Sequence, residues 1–170
     1  METNIDSYAQ DVVQLLLKRG LHAASAESCT GGLISAAITS VSGSSAVFDL
    51  GLCTYAPWAK EKLLGVPHEI IEQYGVVSAE CASAMATGAA KAANSEFAVS
   101  TTGIAGPTGG TDENPVGTVY IGVASKKSSE ARRFVFSTEN CPQNLTERDF
   151  IRLQAVEQAL IMLAEKIKNG

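Results

Sequence analysis

The stretch His22-Ala23-Ala24-Ser25-Ala26-Glu27-Ser28-Cys29-Thr30-Gly31-Gly32-Leu33-Ile34 decides how the rest of the chain is read. Residues 22–26 are small and mostly apolar, as a short buried strand requires. Residues 27–32 form a turn rich in hydroxyls and glycine. Leu33, Ile34, Ala37, Ile38 and Val41 then recur at helical spacing. A strand, a turn and a helix in that order are the alternation of an α/β protein.

The flanking segments continue the alternation. Upstream, Ser7 and Gln10 read as a capping-box pair, Tyr8, Val12, Leu15 and Leu16 share one helical face, and Gly20 is the stop. Downstream, residues 42–45 are a loop and 47–55 a second strand. Pro57 opens a helix carrying Trp58, Lys60, Leu63 and Leu64, which stops at Gly65. A shorter helix over 67–74 is closed by Gly75, and Ser78 with Glu80 opens an alanine-rich helix reaching Ala93. Residues 97–102 form a third strand. Residues 116–124 and 132–136 alternate as a hairpin across 126–130, and Thr146 with Asp149 caps a last helix ending near Ile167. The fold expected is a three-layer α/β sandwich: a mixed, mainly parallel sheet flanked by helices, in one domain spanning residues 1–170.

Composition agrees and removes several classes of function. With 170 residues, the scaling of surface with size gives roughly 8,000 Å² folded against roughly 25,700 Å² extended, enough burial for a core without staples. Hydrophobic residues at 45% and charged ones at 18% exclude wholesale disorder. The net charge of −5 argues against a general nucleic-acid partner, since the densest basic pairs, Lys126-Lys127 and Arg132-Arg133, read as ends of a solvated hairpin. No apolar run approaches the ~20 residues of a membrane span, and the opening residues lack a secretory pattern, so a cytoplasmic protein is expected. Cys29, Cys53, Cys81 and Cys141 show no paired spacing, and His22 and His68 stand alone. The expectation is therefore buried free thiols, with no metal and no cofactor.

Two loops carry the chemistry. Residues 27–32 place Ser28, Cys29 and Thr30 at a helix start, where unpaired N–H groups suit a phosphate or a developing oxyanion. Ordinary capping by Ser28 or Thr30 explains the same residues. The loop over 101–115 holds four glycines and two prolines and follows a buried strand, the end at which α/β sheets bind ligands. Plain flexibility explains it equally well.

Ser28 needs a base if it is a nucleophile. His22 lies at the far end of the same strand, roughly 18 Å away at strand rise, and His68 follows a proline beside Glu69. Lys60 is the better candidate, because its helix follows a strand end that can lie beside the first. An ordinary lysine is neutral at pH 7 only about once in 2,500 molecules, so the role demands a lowered pKa. By spacing alone the ordinary reading of Lys60 is a solvated helix lysine.

Residues 26–32 (Ala-Glu-Ser-Cys-Thr-Gly-Gly), Thr54-Tyr55 with Ala59-Lys60, Gly103-Ile104-Ala105-Gly106-Pro107 and Pro115-Val116-Gly117-Thr118-Val119 together resemble the CinA C-terminal domain family, which includes the nicotinamide-nucleotide amidases called PncC. The resemblance covers nearly the whole chain. It implies hydrolysis of the carboxamide of nicotinamide mononucleotide to nicotinate mononucleotide and ammonia, by a Ser/Lys mechanism without metal. On matching positions it makes Ser28 the nucleophile, Lys60 the general base and Tyr55 the residue that orients the lysine or passes a proton. Thr30, Gly31 and Gly32 would supply N–H donors, Thr102, Gly103 and Gly106 would shape the pocket, and Arg152 would serve substrate charge or ordering of the site.

The chain departs from the family at Ala56-Pro57, where Ser-Asn is common, and at Thr108 and Asn114, where Asp and Lys are common. The expected partners are a pyridine nucleotide and further copies of the chain. The alternative is a non-catalytic nucleotide-binding module that uses the same two loops with Lys60 protonated.

Overall fold

The computed structural model describes residues 4–170. Helix α1 (Ile5–Arg19) leads into β1 (Ala23–Glu27), α2 (Leu33–Thr39), a 3-10 turn (Ser44–Ala46) and β2 (Phe48–Cys53). Three helices follow, α3 (Pro57–Leu64), α4 (His68–Tyr74) and α5 (Ala79–Ala93), and then β3 (Phe97–Gly103). The chain closes with β4 (Thr118–Ser125), β5 (Ser129–Val135) and α6 (Glu147–Asn169).

The five strands form one sheet in the order β2-β1-β3-β4-β5. Strand β1 pairs in parallel with both β2 and β3, whereas β3–β4 and β4–β5 are antiparallel. The sheet is mixed, as expected. Its ladders divide evenly, because the hairpin adds two antiparallel pairs to the two parallel ones. The parallel half has helices on both faces. Side chains of alternate parity face opposite layers: Ala23, Phe97 and Val99 join α1, α2 and α6, and Ala24, Ala26 and Ala98 join Leu64, Val66, Cys81 and Met85. The accessible surface is 8235 Å², close to the value that size scaling gives.

Small residues set the spacing of the second layer. Alanines on β1, β3 and α5 let that helix lie close to the sheet, and an added Cβ on Gly122 would sit 2.4 Å from the Ala82 carbonyl oxygen. Gly88 likewise brings α5 against the end of α3, where a Cβ would lie 2.1 Å from the Leu64 carbonyl oxygen. That contact fixes the helix carrying Lys60.

Local signals explain most boundaries. The Ser78 hydroxyl accepts from the Cys81 N–H, and the Thr146 hydroxyl accepts from the Asp149 N–H. Pro57 opens α3, and Gly20 and Gly65 close α1 and α3 in the left-handed conformation. The capping pair expected at Ser7 and Gln10 does not form: α1 starts at Ile5, which puts Ser7 inside the helix, and Asn4 at its start makes no side-chain cap. The cysteines are all free thiols, but only Cys29 and Cys81 are buried. Cys53 is exposed on the edge strand and Cys141 is half-buried. Among the described residues no helix is long and apolar enough to cross a membrane.

Replacing Gly88 with Ala should push α3 away from α5. Urea unfolding should show a loss of roughly 1–3 kcal/mol, the usual range for overpacking a filled contact.

Candidate active site

The carboxyl ends of β1, β2 and β3 lie on one rim, with Glu27 in register with Cys53 on one side and with Thr101 on the other. The chain leaves β1 for β2 on one flank and later returns as β3 on the other. A reversal of direction of this kind around β1 is the place at which open α/β sheets hold ligands. Ser28 is the first residue past β1. Its N–H donates to the Thr101 carbonyl at 3.0 Å, and the Thr54 N–H donates to the Glu27 carbonyl at 2.8 Å. Three strand ends are thereby stitched together around one serine, which is 9% exposed.

Lys60 reaches that serine from the opposite layer. Its Nζ lies 3.2 Å from Ser28 Oγ, 2.7 Å from the Thr54 carbonyl oxygen and 3.2 Å from the Tyr55 carbonyl oxygen. The residue is 1% exposed, among the most buried long side chains of the protein, and is not a solvated helix lysine. Desolvation lowers its pKa from the ordinary 10.5, opposed by the nearby Cys81 and Cys29 thiols. Among the described residues no carboxylate pairs with it. A neutral amine has two N–H donors and one lone pair, and carbonyls only accept. As an ammonium Lys60 would donate to all three oxygens, Ser28 Oγ included; as a neutral amine, its two donors on the Thr54 and Tyr55 carbonyls would leave the lone pair for the Ser28 hydroxyl proton.

The residue that the sequence reading overlooked is Glu27. It is fully buried, and its carboxylate accepts from the N–H groups of Gly32, Ile34 and Ser35 at 2.9, 3.0 and 2.9 Å. The hydroxyls of Thr30 and Ser35 add two bonds of 2.7 Å each. The N-terminus of α2 is thus already filled by an anion of the protein itself. This corrects the expectation that Gly31 and Gly32 offer their donors to a substrate, though not the one for Thr30, since Gly32 and the helical N–H groups of Ile34 and Ser35 are spent on Glu27. The Gly31 N–H is also engaged, on the Ser28 carbonyl at 3.1 Å. Among the described residues, the N–H groups of Cys29 and Thr30 enter none of the loop's backbone hydrogen bonds. A carboxylate three residues before a Thr-Gly-Gly helix start, with Ser35 in the following turn, was the available signal.

The other expected residues divide by role. Gly31 and Gly32 have φ of +61° and +97°, and a Cβ at either would press at 3.3 Å on Arg152 Nη2 or Cys53 Sγ. They serve the turn. Arg152 spends its guanidinium on the loop: Nε donates to the Cys29 carbonyl at 3.1 Å, Nη2 to the Thr30 carbonyl at 3.0 Å and Nη1 to Asp149 at 2.9 Å. Of the two roles expected for it, this geometry serves ordering. The Thr102 hydroxyl donates to the Val76 carbonyl at 2.6 Å, away from Ser28, and Gly103 closes β3 opposite Val119. The Tyr55 side chain is 66% exposed, so the contact of this residue with Lys60 runs through its carbonyl. Arg148, one turn before Arg152, was also missed. It donates to the Gly106 carbonyl at 2.5 Å and to the Tyr55 hydroxyl at 3.3 Å, tying the glycine-rich loop to the β2–α3 connection.

Cys29 sits beside Ser28, yet burial raises its thiol to about 11, which leaves it protonated at neutral pH. Among the described residues no three His, Cys, Asp or Glu side chains come together.

Residues 5–167 match the family model of the CinA C-terminal domain. The chain belongs to the CinA C-terminal domain family. A CinA-like protein of Geobacter sulfurreducens is 47% identical over 92% of this chain and 36% of its own length. A putative competence-damage inducible protein of Caldicellulosiruptor saccharolyticus is 53% identical over 74% and 31%. The chain therefore spans about a third of the length of these curated relatives. Among solved structures, a competence/damage inducible protein of Agrobacterium tumefaciens has a TM-score of 0.88 at 39% identity, covering 95% of this chain and 94% of that one. A CinA superfamily protein of Klebsiella pneumoniae has a TM-score of 0.89 at 31% identity, covering 98% and 99%. The mixed α/β sheet is thus the fold of this family.

The lowered Lys60 pKa has a measurable consequence. Between the folded value and the ordinary 10.5, the unfolded chain binds more protons than the folded one, so this group makes stability rise with pH across that window. Lys60→Met removes the contribution. In urea unfolding from about pH 7 to about pH 10, wild type should gain stability relative to Lys60→Met as pH rises. Parallel curves would mean that the amine keeps its proton in the fold.

Proposed function

We propose that the chain is an amidase that hydrolyses the carboxamide of nicotinamide mononucleotide to nicotinate mononucleotide and ammonia. The observation that carries the chemistry is the buried Lys60 amine held between two backbone carbonyls with its third position on Ser28 Oγ. Family resemblance at residues 26–32, 54–60, 103–107 and 115–119 supplies the substrate class.

In this reading Ser28 Oγ attacks the carboxamide carbon as its proton passes to Lys60 Nζ. The N–H groups of Cys29 and Thr30 receive the developing oxyanion, being the donors of the loop not already bonded. Collapse of the tetrahedral species breaks the C–N bond, and the protonated lysine gives its proton to the departing nitrogen, which leaves as ammonia. Water then attacks the ester, with Lys60 taking its proton and returning it to Ser28 Oγ as the acid leaves. Burial does the preparatory work, because an exposed amine would be charged and have no lone pair to offer.

The rival reading, a module that binds nucleotide without cleaving it, places a phosphate on the N-terminus of α2. Glu27 speaks against that placement, since its carboxylate already accepts three N–H groups there. An incoming phosphate would meet a like charge at the same donors.

The test is ammonia release from nicotinamide mononucleotide by the purified protein without added metal. Ser28→Ala and Lys60→Ala should each reduce kcat by at least about a thousandfold while remaining folded, as removal of a nucleophile or its base does elsewhere. Because the active form is the neutral amine, kcat/KM should climb with pH through a single ionisation below 10.5. Wild-type turnover in either variant would remove the dyad from the mechanism.

A further inference from the structure

We propose that Glu27 is a positioning residue for the nucleophile, acting through a one-way chain of hydrogen bonds that runs through Thr30 and Thr101 and returns to the Ser28 backbone. The inference rests on the amidase reading and concerns how the attacking oxygen is held.

The direction of the chain follows from chemistry. The Glu27 carboxylate accepts from Thr30 Oγ1 at 2.7 Å, and this uses the single proton of that hydroxyl. Thr30 Oγ1 lies 2.7 Å from Thr101 Oγ1 as well, so there it must accept, and Thr101 is the donor. The Thr101 carbonyl in turn accepts the Ser28 N–H at 3.0 Å. The circuit runs from residue 27 through 30 and 101 to residue 28, with every side chain in it fully buried. An acceptor that cannot donate stands at its end and sets the sense of the two hydroxyl bonds, while the Ser28 N–H can only donate to the Thr101 carbonyl. Buried networks of this kind are rigid when every member is satisfied and fail together when one is not.

Two further features separate this from plain helix capping. First, Glu27 is covalently joined to Ser28, so movement of the carboxylate moves the nucleophile itself. Second, Ser25 and Ser35 close the other side of the carboxylate, with hydroxyls at 3.5 and 2.7 Å from Oε1, so there is no vacant direction into which it can relax. A glutamine in its place must turn an N–H₂ group toward donors on one side or the other.

The experiment compares wild type, Glu27→Gln and Thr101→Val. The rate at which a fluorophosphonate probe labels Ser28 is followed by peptide mass. Kinetics of ammonia release and thermal unfolding are measured in parallel, with Ser28→Ala as the labelling blank. Glu27→Gln should lower both the labelling rate and kcat by about 100-fold with KM changed by less than about threefold, because a misplacement near 1 Å costs about that much. Thr101→Val, which removes one link and keeps the carboxylate, should fall between it and wild type. A Glu27→Gln protein that melts earlier but labels and turns over within about threefold of wild type would overturn the proposal, reducing Glu27 to a helix cap. If that variant does not fold, Thr101→Val decides, and unchanged labelling by it is equally fatal. Slowed labelling in both variants, with no ammonia released from the mononucleotide by any of the proteins, would support positioning while refuting the substrate. Absence of probe on wild-type Ser28 would overturn both.

Discussion

An ammonium taken out of water must be paired, or it gives up its proton. Among the described residues Lys60 is given no carboxylate partner; its amine meets two backbone carbonyls and a hydroxyl. Everything around it maintains that condition. Gly88 lets α5 press on the end of α3, the alanines of β1 and β3 bring the layer close to the sheet, and Pro57 begins α3 so that its fourth residue faces the rim. The lowered pKa of this amine is thus a product of packing. The nearest buried acid on the other face, Glu27, is matched bond for bond by α2, so its charge is already answered and has less hold on the lysine.

The topology divides the labour. The parallel half of the sheet brings the ends of β1, β2 and β3 together, and these carry Ser28, the carbonyls that hold the Lys60 amine and the start of the glycine-rich loop. The antiparallel half extends the hydrophobic surface on which α6 lies, with Val119, Ile121 and Val123 contributing to it. That helix then sends Arg148 and Arg152, four residues apart and so on one face, across the mouths of three loops.

Much of this could be read from residues alone, and the reasons are local. Ser78 and Thr146 signal their helices because a side-chain oxygen next to a helix start has one evident use, and Gly65 and Gly20 end theirs because the left-handed position favours glycine. Ser7 misled, since the same residue type inside a first turn looks identical in sequence. The state of Lys60 was not legible, because its burial depends on Gly88 and Leu64 meeting across a helix pair. Nothing in the spacing of residues 55–60 encodes that contact. Glu27 was hidden for another reason: a carboxylate at a strand end usually faces water, and only the return of α2 over it reveals three N–H groups converging on one side chain. The arginines were half legible, with Arg152 suggested by resemblance and Arg148 by nothing local.

The clasp formed by α6 has a consequence for biogenesis. The carbonyls of Cys29 and Thr30 find their guanidinium partner more than 120 residues later in the chain. A ribosome releases the serine and lysine segments long before that helix emerges, so in the nascent chain those carbonyls must be served by solvent. The rim is therefore completed only when α6 docks, and maturation of the site waits for that helix to be made.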